Sequence, residues 1–152
     1  MQTITPFLWF DDKAEEAMNF YLSIFKSGKA LGVNRFNGNV MTVTFELQGQ
    51  RFMALNAGPL FKFTEAVSFF VSCETQEEVD ELWERLSAGG EKSRCGWLKD
   101  KYGLSWQIIP TALMRLMSDP DPKKSGAVMQ AMLKMNKIVI EDLQKAYEGI
   151  AA

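Results

Sequence analysis

The side chains that could do chemistry are few, and the type that is missing decides the most. None of the 152 residues is His, which removes the commonest general base, the commonest zinc ligand and every Ser/His/Asp or Cys/His nucleophile arrangement. Two thiols are present, Cys73 and Cys95. Cys95 precedes Lys99 in Cys95-Gly-Trp-Leu-Lys, and a cation so placed could lower a thiol's pKa. With no base to take the proton, an inert thiol is the expectation. The carboxylate pairs Glu15–Glu16 and Glu77–Glu78 have the residue type of a general acid/base couple. Each opens an apolar-periodic segment, however, and negative charge in a first helical turn is favoured by the helix dipole. The stretch Met129-Gln-Ala-Met-Leu-Lys-Met135 offers thioethers that suit a soft metal; at helical spacing, methionine is expected to pack on other helices or on a second subunit.

Charge and composition narrow the partners. Lys plus Arg number 17 against 19 Asp plus Glu, a net −2, without the basic excess that neutralises nucleic-acid phosphates. At 47 % hydrophobic and 24 % charged residues, the chain has ordinary globular composition and the length of one domain. No apolar run approaches the roughly 18 residues of a membrane span, and Met1–Phe10 lacks the charged and apolar regions of a leader. Two cysteines are too few for a disulfide scaffold. The expected setting is cytoplasmic, with no membrane or nucleic-acid partner.

Elements must position whatever site exists. Ile4 to Phe10 reads as a buried strand ending at Asp11–Asp12. From Lys13 to Phe25, Ala14, Ala17, Met18, Tyr21 and Phe25 recur at three- and four-residue steps, predicting an amphipathic helix stopped by Gly28. Ala30–Asn37, Val40–Leu47 and Gln50–Asn56 alternate as strands around Asn37–Gly38–Asn39 and Gln48–Gly49 turns. The same order recurs with a strand at Ala66–Ser72, a helix at Gln76–Ser87 and a stop at Gly89–Gly90. A shift of about 62 residues superposes the two helices. In the preceding strand one residue fewer sets Leu8 on Phe69 and Phe10 on Val71; Phe52 falls on Trp106 and Met53 on Gln107. The pattern predicts an α+β chain of two βαβββ modules, 1–60 and 61–110, followed by a helical extension over 111–152. In that extension Leu113, Leu116 and Met117 space as one helix, Val128, Met129, Met132, Leu133 and Met135 as a second, and Ile140, Leu143, Ala146 and Tyr147 as a third.

Paired βαβββ modules resemble the vicinal oxygen chelate superfamily of glyoxalases, extradiol dioxygenases and bleomycin-resistance proteins. The strings Ile4-Thr-Pro-Phe-Leu-Trp-Phe-Asp-Asp12, Phe52-Met-Ala-Leu-Asn-Ala-Gly-Pro59, Cys95-Gly-Trp-Leu-Lys-Asp100 and Ser105-Trp-Gln-Ile-Ile-Pro110 resemble its PhnB-like group, which carries the label 3-demethylubiquinone-9 3-methyltransferase. The resemblance implies a single domain, a curved mixed β-sheet forming a cup, a homodimer, and one divalent metal held by the first and last strands of each module. Carried over residue by residue, the ligand positions are Thr5, Met53, Ala66 and Gln107. Only Gln107 is a usual ligand type, so the expectation is no metal and no cofactor. A nucleotide-fold methyltransferase needs a glycine-rich turn between strand and helix, and Asp11–Asp12–Lys13 stands there instead.

If Leu8, Phe10, Phe69 and Val71 face the helices, strand alternation turns Phe7, Trp9 and Phe70 to the opposite face. These three rings, with Met53, the Gln107 amide and Asn56 at the rim, are the candidate binding residues for a small, partly aromatic molecule. Two other readings of the sequence remain: a superfamily lyase or transferase with an atypical site, and a structural or regulatory dimer whose cup is filled by its own aromatic side chains.

Overall fold

A computed structural model describes residues 2–151. The chain divides into two compact units, Met1–Phe63 and Thr64–Ala152. In the first, β1 (Phe7–Phe10) leads into α1 (Ala14–Ile24), then β2 (Gly28–Phe36), β3 (Asn39–Leu47) and β4 (Gln50–Asn56). The strand order is β1-β4-β3-β2, with β1 parallel to β4 and the other pairs antiparallel. The second repeats it. Strand β5 (Ser68–Cys73) leads into α2 (Gln76–Ser87), short β6 (Glu91–Lys92), β7 (Trp97–Lys99) and β8 (Ser105–Pro110), in the order β5-β8-β7-β6. Each unit is thus an open four-stranded mixed sheet with the βαβββ order, and the α+β class is as expected from the sequence.

Both opening strands are shorter than their apolar runs suggested. Ile4 is 97 % exposed and Pro6 has no N–H to give a ladder, although its carbonyl accepts from Met53 N. Ala66 lies in a turn closed by the Thr64 backbone and hydroxyl oxygens, so the strand begins at Ser68 rather than Ala66. Thr5 and Ala66, the two opening ligand positions implied by resemblance, therefore precede their strands.

Burial follows the expected parity. Ala14, Ala17, Met18 and Tyr21 of α1 are buried with Leu8, Phe10, Val43, Phe45 and Phe52, and the Phe45 and Phe52 rings stack at 5.5 Å. In the second unit Val79, Trp83 and Leu86 of α2 are buried with Leu98, Trp106 and Ile108.

The helices of the extension, α3 (Thr111–Met117), α4 (Pro122–Met132) and α5 (Ile140–Ala151), build a satellite core. Leu113, Leu116, Val128, Ile138 and Leu143 gather there on Ile109 of β8. Asp121 caps α4 through Lys123 N, with Pro122 in the first turn. The Tyr147 hydroxyl donates to Asp119 Oδ2 at 2.7 Å. That bond holds the Asp119 carboxyl below the usual carboxylate range and the phenol above its own. Its contribution is lost as pH falls through the lowered Asp119 pKa and again as pH rises through the raised Tyr147 pKa.

One segment straps the extension down. Cys95 N donates to Met135 O and Gly96 N to Asn136 O. The Gln76 side chain donates to Ile138 O and accepts from Ile140 N, and Lys137 pairs with Asp80. Gly96 is required at this crossing. Its φ is +84°, and a Cβ would stand 2.7 Å from Ile109 Cδ1 and 2.9 Å from Ile108 O.

The β7–β8 turn is organised by a buried carboxylate. Asp100 Oδ1 accepts from Tyr102 N and Leu104 N, and Oδ2 from Trp106 Nε1 at 3.0 Å. Replacing it strands three donors, two of them in buried residues. Asp100→Ala is therefore expected to cost about 3 kcal/mol in a urea unfolding series; a loss below about 1 kcal/mol would show that the turn stands without it.

Candidate functional site

The two sheets each present one face to their helix and leave the other free of it. In the first unit Phe7 and Trp9 lie on this open face, paired across the ladder with Met53 and Leu55, and Thr44 and Thr42 continue the two rows on β3. Phe7 is 52 % exposed. The Trp9 indole is fixed by its Nε1–H donating to Gly58 O at 2.9 Å and by an edge contact with Phe61, ring centroids 4.9 Å apart. Phe61 is itself exposed and extends the aromatic surface. It lies in an irregular segment outside any strand, where alternation gave no reason to single it out.

Asn56, a candidate from the sequence, has a defined structural task. Lys13 at the start of α1 makes no side-chain cap; Asn56 Oδ1 accepts from Ala14 N at 2.9 Å instead, and Nδ2 donates to Val40 O. A cap of this kind is worth about 1–2 kcal/mol. In the second unit the matching ladder position is Pro110, and α2 is capped locally by Thr75 Oγ1 accepting from Glu78 N.

In the second unit the open face carries two rows. Phe70, Gln107 and Trp97 stand abreast across β5, β8 and β7, and Ser68, Ser105 and Lys99 form the adjacent row. Phe70 is 52 % exposed. Gln107 Nε2 donates to Ser68 Oγ at 2.9 Å. Trp97 was not among the candidates, although its alternation with buried Leu98 on β7 is the same signal that placed Phe7 and Phe70.

The ladders also correct the alignment of the repeat. Phe7 faces Met53 and Phe70 faces Gln107, so Phe7 corresponds to Phe70, Leu8 to Val71 and Phe10 to Cys73. The expected match of Leu8 to Phe69 is displaced by two residues because similar aromatics recur on both strands. A two-residue displacement preserves parity, so the faces stand as read.

The remaining chemistry-bearing residues have structural partners. The Lys99 ammonium pairs with the Glu65 carboxylate, which raises the former's pKa and lowers the latter's. Cys95 sits at φ 57° with its N–H in the strap described above. Burial, with the Glu78 charge second, pushes the Cys73 thiol up to about 11. Glu15 pairs with Arg35 at 2.7 Å, and Glu78 Oε2 accepts from Glu74 N. Among the described residues no three His, Cys, Asp or Glu side chains gather as a metal site would require.

The family model for 3-demethylubiquinone-9 3-methyltransferase matches residues 2–109. The chain belongs to this family. A solved PhnB protein from Bacillus cereus is 40 % identical over 71 % of this chain and 99 % of its own, with a TM-score of 0.66. The fold extends to more distant structures. Protein PA1353 from Pseudomonas aeruginosa is 17 % identical over 72 % of this chain and 96 % of its own, with a TM-score of 0.59. The fosfomycin resistance protein FosX from Listeria monocytogenes, complexed with Mn(II) and sulfate, is 17 % identical over 69 % of this chain and 86 % of its own, with a TM-score of 0.51. No curated protein matches the chain. The PhnB-like family model ends at residue 109, so helices α3–α5 follow the matched region. At this identity the likeness to FosX is one of fold, and the fold is the βαβββ order that both units show.

Proposed function

We propose that this PhnB-like chain works as a single vicinal oxygen chelate domain that binds a small, partly aromatic molecule on its open sheet faces without a metal. The observation that carries the reading is the pair Phe7 and Phe70. They occupy matching ladder positions in the two modules, and each leaves 52 % of its surface exposed on the face turned away from α1 or α2. Exposed aromatic rings beside Met53 in one module and the Gln107 amide in the other suit a ligand that is mostly apolar with a polar end. Trp9 and Phe61 enlarge the first surface and Trp97 the second. Methyl transfer is no part of this reading. The connection Asp11–Asp12–Lys13 between β1 and α1 has no glycine for a close cofactor approach.

The donor set argues against a divalent ion. Phe7 and Met53 in one module and Phe70 and Gln107 in the other hold the ladder positions, and the one amide among them is bonded to Ser68. Hard divalent ions need several oxygen donors, most of them charged. The reading includes a homodimer, supported by exposed Met114, Met129 and Leu133 on the extension, and a cytoplasmic setting, where Cys73 and Cys95 stay reduced as free thiols.

Calorimetric titration with the neutral probe 2-naphthylacetamide tests the binding surface. Wild-type protein is expected to bind it at about micromolar to millimolar Kd, a range set by burial of one bicyclic ring. Phe70→Ala is expected to weaken binding at least about tenfold while unfolding within about 1 kcal/mol of wild type; unchanged affinity in this variant and in Phe7→Ala overturns the reading. Elemental analysis after incubation with manganese, zinc or nickel and dialysis should give well under one ion per chain. A retained stoichiometric ion reinstates metal chemistry. Light scattering is expected to give twice the 17.2 kDa chain mass, and a monomer at micromolar concentration removes the dimer from the proposal.

A further inference from the structure

The row beside Phe70, Gln107 and Trp97 has a chemistry of its own. Ser68, Ser105 and Lys99 face one another across the ladders of β5, β8 and β7, so by strand alternation all three lie on the open face. Ser105 is 1 % exposed, and its Oγ is the one buried side-chain polar atom among the described residues without a hydrogen-bond partner. A buried hydroxyl left unpaired is costly, and a native structure that keeps one has a use for it. Its neighbours are biased toward donation. Ser68 Oγ already accepts from Gln107 Nε2, which directs its own hydrogen outward, and Lys99 is donor only. The row continues onto β6 with Glu91, in register with Lys99 and close enough for its charge to act on the ammonium, while the carboxylate bonded directly to Lys99 is that of Glu65, from the exposed turn before β5.

We infer that the open face of the second module recognises a small aromatic carboxylate, its carboxyl group meeting Lys99, Ser105 and Ser68 and its ring lying on Phe70 and Trp97, and that Glu65 stands in for that carboxyl group until the ligand arrives. The inference rests on the aromatic binding surface proposed above and gives it a ligand class. Alternate residues along a strand are about 7 Å apart, which matches a carboxylate held one carbon away from a bicyclic ring. Glu65 already demonstrates that a carboxylate fits the Lys99 ammonium, even with Glu91 in register beside it. The acid must displace Glu65 to bind, so Glu65 competes with its own site's ligand. Both partners of that pair are substantially exposed, with side-chain exposures of 36 % for Lys99 and 60 % for Glu65, so the pair can open at the surface.

The test compares 2-naphthylacetate with the neutral 2-naphthylacetamide by calorimetry on the full chain. The acid is expected to bind at least about tenfold more tightly than the amide, each tenfold corresponding to one strong charge-assisted contact. Lys99→Met should remove that advantage and leave amide binding unchanged, and Ser105→Ala should weaken the acid alone. Glu65→Gln is the decisive variant because it predicts a gain: the acid binds several-fold more tightly, the amide as before, in a protein whose fold is untouched at an exposed turn. Equal affinity of acid and amide, or an acid affinity unmoved by Glu65→Gln, overturns the carboxylate assignment while amide binding sustained by Phe70 keeps the aromatic surface. Failure of both probes to bind overturns the two together.

Discussion

The parallel pairing of the first and last strands in each module is the constraint on which the rest depends. Parallel neighbours cannot be joined by a tight turn, so the chain between them has to cross over. Here the crossover carries a helix and the middle strands, and the helix covers one face of the sheet. Once that face is taken, alternation leaves Phe7, Trp9, Phe70 and Gln107 on the other. The site candidates are the residues excluded from the helix side by register, and a single-residue slip in β1 or β5 would exchange them for Leu8 and Phe69.

The two modules solve the same local problems with different residues. A helix that begins directly after a strand exposes backbone N–H groups that need acceptors. In the first module the acceptor comes from Asn56 at the end of β4, many residues away in sequence; in the second, Pro110 occupies that ladder position and Thr75 supplies a local cap. The first solution makes α1 conditional on β4 being in place, while α2 carries its own start signal. The Asp100 carboxylate, which gathers two backbone N–H groups of the β7–β8 turn and the Trp106 indole of β8, likewise supplements the glycine turn that suffices between β3 and β4.

How much of this was legible in the sequence follows from the range of each interaction. The apolar periodicity of Ala14, Ala17, Met18 and Tyr21 and the alternation around Gln48–Gly49 are local, and they located α1, β3 and β4 within a residue or two. Parity on β1 and β5 is also local and gave the open face. Long-range commitments were not readable. Nothing near Asn56 in sequence announces that its amide caps a distant helix, which is why it read as a rim residue. The apolar run Ile4–Phe10 contained no sign that Pro6 ends the ladder early, apart from the proline itself. The repeat was misaligned by two residues in its opening strand because only the ladder partners, Met53 and Gln107, distinguish Phe70 from Phe69 as the counterpart of Phe7. Trp97 and Phe61 were missed for different reasons: the alternation of Trp97 with Leu98 spans only three residues and was passed over, and Phe61 sits on no strand at all.

The strap at Met135–Ile140 has a bearing on how such a chain can be shortened. Cys95 and Gly96 present backbone N–H groups to Met135 and Asn136, and Gln76 offers both ends of its amide to Ile138 and Ile140. A chain that stops at Pro110 leaves these donors to water and uncovers Ile109, beside a left-handed glycine on which Ile108, Ile109 and Ile138 all close. The helical tail thus serves the second module as a cover as well as an appendage, and a shortened chain would expose apolar surface at Ile109 and leave the Gln76 amide to solvent.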